Sequence, residues 1–252
     1  MSLAGRALFL SASTPSPERD AVFRRIPDAQ REIERAVVCV ARAVFAAGGR
    51  LVFGGHPSIA PLVAFVASEF ASRSTPGTPP VTVHQLDVYQ QRGEIPDATV
   101  EMEQLGHARI IWHATDAHER ARQWRAGEVK YPRSLDAMRK KMISDDSIAA
   151  MVAIGGMDGV LEEARLFAED QKHPRRPIFV LATTGGASAL IQEQPQAAFK
   201  VGAQAVEVNV IDREYIQPTA PELVGPDGET RRVPLRYTPY LLIAEEMIDS
   251  LT

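Results

Sequence analysis

The segment from Ala153 to Phe167 reads AIGGMDGVLEEARLF and gathers residue types that do chemistry. An apolar lead-in gives way to Gly155-Gly156, then Asp158 and Gly159, then Glu162-Glu163. That order predicts a strand, a tight turn and the start of a helix. The N–H groups of a helix start lack intrahelical partners and favour anions, phosphate above all. At about 100° per residue, Val160, Leu161, Ala164, Phe167 and Ala168 form one apolar stripe. Glu162 then projects to solvent. Glu163 lies at the edge of the stripe, in the first turn and beside the glycines, where the helix dipole favours an ionised carboxylate. An acidic residue in a first turn is also common without any function.

A second charged group comes from the preceding helix, SLDAMRKKMISDD. Leu135, Met138 and Met142 form its apolar stripe, and Arg139 flanks it. Arg139 is therefore placed to reach the rim of a sheet edge, whereas Lys140 and Lys141 point further out. The alternative is a solvated basic face.

The elements that must position these groups follow from the hydrophobic pattern. Short apolar runs at ALFLSA, RLVFGG, VTVHQL, RIIWHA, AAMVAIGG and PIFVLA predict buried strands. Helical periodicities separate most of them: Asp28 to Ala47 with Asp28 as N-cap, a helix capped by Ser58, one capped by Ser134, one over Gly159 to Asp170, and PYLLIAEEMIDSL at the end. Alternating strands and helices predict an α/β fold, Rossmann-like and doubly wound, with a mostly parallel sheet and helices on both faces. One domain over residues 1–252 is expected, with a loop at 72–80 and an irregular Pro/Gly-rich excursion at 217–239.

In such sheets ligands bind beyond the carboxyl ends of the strands. Those ends read LSASTP, FGGHPS, IGGMDG and ATTGGAS, small and rich in glycine or hydroxyls. The expected ligand-binding set is Ser11 and Ser13; Gly54, Gly55, His56 and Ser58; Gly155, Gly156, Asp158, Gly159 and Val160; and Thr184. His56 is either a ligand contact or a turn cap.

The net charge of -4 argues against a broad nucleic-acid or membrane surface. No apolar run approaches the roughly 20 residues of a membrane span, and Ala7 to Leu10 reads as a first strand rather than a signal peptide. The single cysteine, Cys39, cannot form an internal disulfide and fits a cytoplasmic location. His107, His113 and His118 are spaced by six and five residues, which suits no helical metal site, so no metal and no cofactor are expected. RQWRAGEVKYPR at 122–133 reads as a surface loop over the site.

Together, MRKKMISDDSIAAMVAIGGMDGVLEEARLF resembles the core of the LONELY GUY (LOG) phosphoribohydrolases. That family carries an Arg-Lys pair on a helix, a strand, and a Pro-Gly-Gly-x-Gly-Thr-x-x-Glu loop. Arg139-Lys140 match the pair, and Gly155-Gly156, Gly159 and Glu163 match the loop. LVFGGHPSIAPLV and LFLSAST fall where the family has its other two ligand loops, so the resemblance covers residues 6 to about 190. Ile154 replaces the motif proline, one extra residue precedes Gly159, Val160 replaces a threonine, and His56-Pro57 replace a glycine. These departures resemble the wider SLOG superfamily, which joins LOG enzymes to Smf proteins and to sensors of bacterial nucleotide signalling and antiviral defence.

The resemblance implies three functions. One is a sensor or effector that binds a nucleoside monophosphate or an ADP-ribose-like ligand. Another is a LOG-like hydrolase of the N-glycosidic bond, with Arg139 and Glu163 catalytic. There the glutamate would hold the ribose and stabilise positive charge at the anomeric carbon, and the arginine would assist departure of the base. The third is single-stranded DNA binding, against which the acidic balance counts. A homo-oligomer is implied by resemblance alone.

Overall fold

The computed structural model describes residues 2–16, 23, 26, 28–71, 78–125, 128–193, 208–213, 222–224, 230–232 and 238–252. Seven parallel strands form one sheet in the order β4-β3-β2-β1-β5-β6-β7. They are β1 (Ala7–Ser13), β2 (Arg50–Phe53), β3 (Val81–Leu86), β4 (Ala108–His113), β5 (Ile148–Gly155), β6 (Ile178–Leu181) and β7 (Val208–Val210). The six apolar runs of the sequence are the first six strands. The chain winds outward from β1 to β4, then returns to place β5 on the other side of β1. The strand order thus reverses between β1 and β5, where a doubly wound sheet opens a crevice.

Both faces are covered, which is why the central strands are apolar at successive positions. In β1, Leu8 and Leu10 enter one core, with Ile33, Val37, Val40 and Val44 of α1 (Ala29–Ala46). That face also carries α2 (Ala60–Glu69) and α9 (Tyr240–Ser250). Ala7 and Phe9 enter the opposite core, with Val160, Ala164 and Phe167 of α7 (Asp158–Ala168). Phe9 stacks on Phe167 at 6.1 Å between ring centroids. The second face also carries α6 (Pro132–Ile143) and α8 (Gly186–Glu193). Short helices α3 (Asp87–Arg92), α4 (Asp97–Gln104) and α5 (Ala117–Ala121) complete the β3–β4 side. Among the described residues, no helix is long and apolar enough to cross a membrane.

Three helix starts differ from the sequence reading. Asp28 stands at the N-cap of α1, but with φ 57° and without a side-chain cap hydrogen bond. Ser58 does not cap α2: Ile59 is the N-cap, and the Ser58 hydroxyl accepts from the Thr14 N–H. Ser134 lies inside α6, whose start is served by the Glu119 carboxylate instead. Glu119 accepts from Arg133 N at 2.8 Å, Ser134 N at 2.9 Å and Ser134 Oγ at 2.5 Å. Burial pushes this carboxyl up, but those hydrogen bonds outweigh burial and hold it below the ordinary glutamate value. Within the excursion at 217–239, β8 (Glu222–Val224) and β9 (Thr230–Arg232) pair antiparallel, so this stretch is not wholly irregular. Its other residues up to 237 lie outside the described set, as does 72–77 of the expected loop.

His84 of β3 is 3% exposed and bonds His113 of β4 through Nδ1···Nε2 at 2.9 Å. Burial, reinforced by His113 and Arg109 and opposed by Asp145, holds the His84 imidazole down at about 4. Burial and Lys141 lower His113 as well. Between pH 6.5 and about 4 the unfolded chain therefore binds the proton and the folded chain refuses it. Stability must fall as pH drops through that window, by up to about 3 kcal/mol from His84. Urea midpoints at pH 7, 5.5 and 4 should show the fall, and His84→Gln should flatten it. An equal fall in the variant would assign the acid sensitivity elsewhere.

Candidate functional site

A cleft of about 550 Å³ opens at the carboxyl ends of β1, β5, β2 and β3. Ser13 ends β1, Gly54 to Pro57 follow β2, Gln85 is the last residue but one of β3, and Met157 to Val160 open α7; all line it. Arg139 of α6 and Glu163 of α7 face it from the second helical layer. Three loops far apart in sequence thus meet at the point where the strand order reverses.

Arg139 and Glu163 form an ion pair, Nε to Oε1 at 3.3 Å, with side chains 17% and 14% exposed. The other carboxylate oxygen accepts from the Ser11 hydroxyl at 2.5 Å. Ser11 is 1% exposed and does not line the cleft, so it holds Glu163 from behind. Glu163 stands in the second turn of α7, because the helix begins at Asp158. Its burial pushes the carboxyl above the ordinary glutamate value against Arg139 and Ser11, opposite to what a first-turn position predicts. Lys141 is exposed, and Glu162 pairs with Arg165 at 2.6 Å.

The Gly155-Gly156 pair does not line the cleft. Gly155 N donates to Thr184 Oγ1 and Gly156 N to Ser13 O, both at 2.7 Å. Their N–H groups are therefore spent inside the protein. Thr184 is fully buried and also lies off the cleft; its hydroxyl donates to Leu181 O. Val160 is 3% exposed and packs over Gly156, where a Cβ would meet Val160 Cγ2 at 2.2 Å. Gly159 has a different reason to be glycine. A Cβ there would meet Arg139 Nη2 at 3.2 Å, so the guanidinium lies over the start of α7. The amide of Gly159 is one of the helix-start N–H groups with no intrahelical carbonyl to bond.

Gln85 builds the second loop. Its Nε2 donates to Gly54 O at 3.2 Å and Gly55 O at 3.1 Å. A planar trans peptide turns its N–H opposite its C=O. The Gly55 and His56 N–H groups therefore face away from Gln85. His56 Nδ1 accepts from Ser58 N at 3.2 Å and bonds the Ser58 hydroxyl at 2.9 Å. The ring proton consequently sits on Nε2. Burial lowers the His56 pKa, so the imidazole is neutral at pH 7. His56 thus shapes the turn and lines the cleft; Ser58 only supports it.

The β3 side of the cleft contains residues the sequence reading passed over. Tyr89, Glu94 and Pro96 come from the β3–α4 segment, and Glu128 to Lys130 from the stretch expected as a loop over the site. Leu135 and Met138 of α6 form an apolar wall. Tyr89 meets Tyr131 edge-on at 5.8 Å, and Trp124 meets Tyr131 at 5.4 Å. Burial, Tyr131 and Glu94 push the Tyr89 phenol up, while Arg139 and Arg92 oppose them, which puts Tyr89 in the electrostatic neighbourhood of Arg139. A His-Gln pair at the end of an otherwise apolar strand was the sequence signal for Gln85. Among the described residues, no group of three or more His, Cys, Asp or Glu side chains is placed to hold a metal ion.

The X-ray structure of TM1055, a structural-genomics target, aligns with a TM-score of 0.49 and 13% identity, over 81% of this chain and 91% of that one. No curated protein matches the chain. The SLOG cluster3 family matches residues 29–212, which take in the second glycine loop, Arg139, the Gly155-Gly156 turn and Glu163. The chain belongs to the SLOG cluster3 family.

Proposed function

We propose that this chain binds a nucleotide in the cleft and acts as a sensor or effector. The observation that carries the reading is the meeting of the Gly54–His56 loop and the start of α7 around a half-buried Arg139–Glu163 pair. A phosphate fits against the N–H groups of Gly55, His56 and Gly159, with the neutral His56 ring as a further donor. The arginine lies beyond, where a ribose or base follows. Val160 supplies no hydroxyl, and the Gly155-Gly156 amides are occupied. The anchorage is thus weaker than the LOG motif implies, which favours recognition over turnover.

A specific feature keeps a second reading in view. Glu163 is a carboxylate held by two partners and facing the cleft, the arrangement a hydrolase of N-glycosidic bonds uses to stabilise a cationic sugar. In that reaction the oxygen of water joins C1′ and its proton ends on the departing base. Incubation with nucleoside monophosphates, NAD and ADP-ribose separates the two. A raised melting temperature without free base supports the sensor. Free base supports the hydrolase. Neither, at millimolar ligand, would overturn both.

Two adjacent glycines test where the phosphate sits. A Cβ on Gly54 meets nothing within 4 Å, so Gly54→Ala adds a methyl to the cleft at no cost to the fold. AMP affinity should fall about tenfold, the ~1.4 kcal/mol scale of a modest steric intrusion. Gly55 has φ +62°, and its Cβ would lie 2.3 Å from Gln85 Nε2. Gly55→Ala should therefore cost about 1–3 kcal/mol of stability by denaturant melt, whether or not ligand is present. Undiminished AMP binding in Gly54→Ala would remove the phosphate from this loop.

A further inference from the structure

We infer that the β3 side of the cleft is a specificity pocket for a base bearing an exocyclic amino group, read by the carboxylates of Glu94 and Glu128. This rests on the nucleotide reading and extends it to the chemical class of base. Three features of the site point there. First, this end differs from the glycine end. Tyr89, Pro96, Leu135 and Met138 supply flat and apolar surface of the kind a heteroaromatic ring needs. Second, the cleft continues from Arg139 to this surface, because Arg139 and Tyr89 both line it and Arg139 acts on the Tyr89 phenol. A nucleotide with its phosphate on the Gly55, His56 and Gly159 amides would lay its base in this direction. Third, the polar groups at this end are chiefly acceptors.

Ionised carboxylates can only accept hydrogen bonds. Glu128 already takes Arg125 N at 3.2 Å and Arg122 Nη2 at 3.3 Å, both on one oxygen, Oε2. Among the described residues, its other oxygen meets no donor. Glu94 anchors its own backbone, with its N–H donating to Tyr89 O, and its exposed side chain lines the cleft. Lys130 supplies a competing donor, but it is exposed and its ammonium is free to turn into water. An amino group on the base satisfies a carboxylate. An oxo group in the same place sets acceptor against acceptor and leaves both without partners. Because Glu94 is open to water, water can partly replace the ligand, and the discrimination is about tenfold rather than the thousands a sealed site gives.

The test uses the full chain and four commercial nucleotides that differ in pairs by one such exchange. AMP and IMP exchange amino for oxo at C6, with a hydrogen added at N1, and CMP and UMP exchange them at C4, with a hydrogen added at N3. Thermal-shift and calorimetric titrations should give AMP and CMP affinities about tenfold tighter than IMP and UMP. In Glu94→Gln/Glu128→Gln each ratio should approach one, because a carboxamide both donates and accepts. Equal affinities in the wild type, tighter binding of the oxo bases, or a preference that survives the double variant would overturn this inference alone. Failure of all four to bind would overturn this inference, and failure of NAD and ADP-ribose as well would overturn the nucleotide reading with it. A double variant whose melting temperature without ligand falls is replaced by the single Glu94→Gln, for which the same ratio decides.

Discussion

Glu163→Gln is expected to separate recognition from chemistry by at least two orders of magnitude. The substitution keeps the length of the side chain and an oxygen to accept from Ser11, and it removes the charge. If the wild type releases free base from a nucleotide, a cationic transition state loses the carboxylate aimed at it, and kcat should fall about 100-fold or more. Ground-state affinity should change by less than about threefold, because the ground state carries no positive charge there. Stability adds a second readout. Burial outweighs Arg139 and Ser11 and raises the Glu163 pKa, so ionising this group works against folding. The folded protein then holds the proton more tightly than the unfolded chain, and stability is lost as pH rises through the raised folded value. The neutral variant should accordingly melt no lower than wild type at pH 7. A group retained at a cost to stability is what a functional carboxylate looks like. The same raised value sets the acid limb of any pH–rate profile above the 4.5 of a free glutamate. Wild-type turnover in the variant, or a large loss of stability at pH 7, would make Glu163 a structural half of an ion pair.

Helical phase explains why this pair was legible. Arg139 and Glu163 flank apolar stripes whose members Met138, Met142, Val160 and Phe167 are all buried. A residue one step off such a stripe lies at the edge of the packed layer, so the stripe alone aims it. Strands buried on both faces were legible for the same reason: burial leaves no room for polar residues. What escaped the sequence depends on how segments cross each other. β7 has three half-buried residues at the edge of the sheet and carries no apolar run. Gln85 acquires its role only because β3 lies beside the Gly54-Gly55 loop, and Tyr89 because α3 turns back over the cleft. Hydroxyl caps were misplaced because a serine can serve any nearby donor or acceptor. Ser58 serves Thr14, and Ser134 serves Glu119 and Asp116, each from another segment.

The glycines of the Gly155-Gly156 turn supply the sharpest structural expectation, and it concerns the residue packed against them. Gly186 opens α8 with φ +60°, and a Cβ there would lie 2.5 Å from Gly156 O, 2.9 Å from Gly155 C and 3.0 Å from Gly156 N. All three atoms are backbone and cannot swing aside. The Ala187 N–H donates to Gly156 O at 3.0 Å, so the two turns are also hydrogen-bonded face to face. Gly186→Ala must push α8 off the end of β5, and it also takes on left-handed strain. A loss of at least about 3 kcal/mol is expected, read as a shifted denaturation midpoint. Gly159→Ala is the control that gives this meaning. Gly159 lies inside α7, where alanine is the better helix former by about 0.5–1 kcal/mol, and its Cβ meets only the end of the Arg139 side chain. That variant should fold at least as well as wild type while displacing the guanidinium and weakening nucleotide binding. Gly186 then exists to let two turns touch, and Gly159 exists to let an arginine reach the cleft. If Gly186→Ala were as stable as wild type, the turn would have slack, and the amides of Gly155 and Gly156 could swing toward a ligand after all.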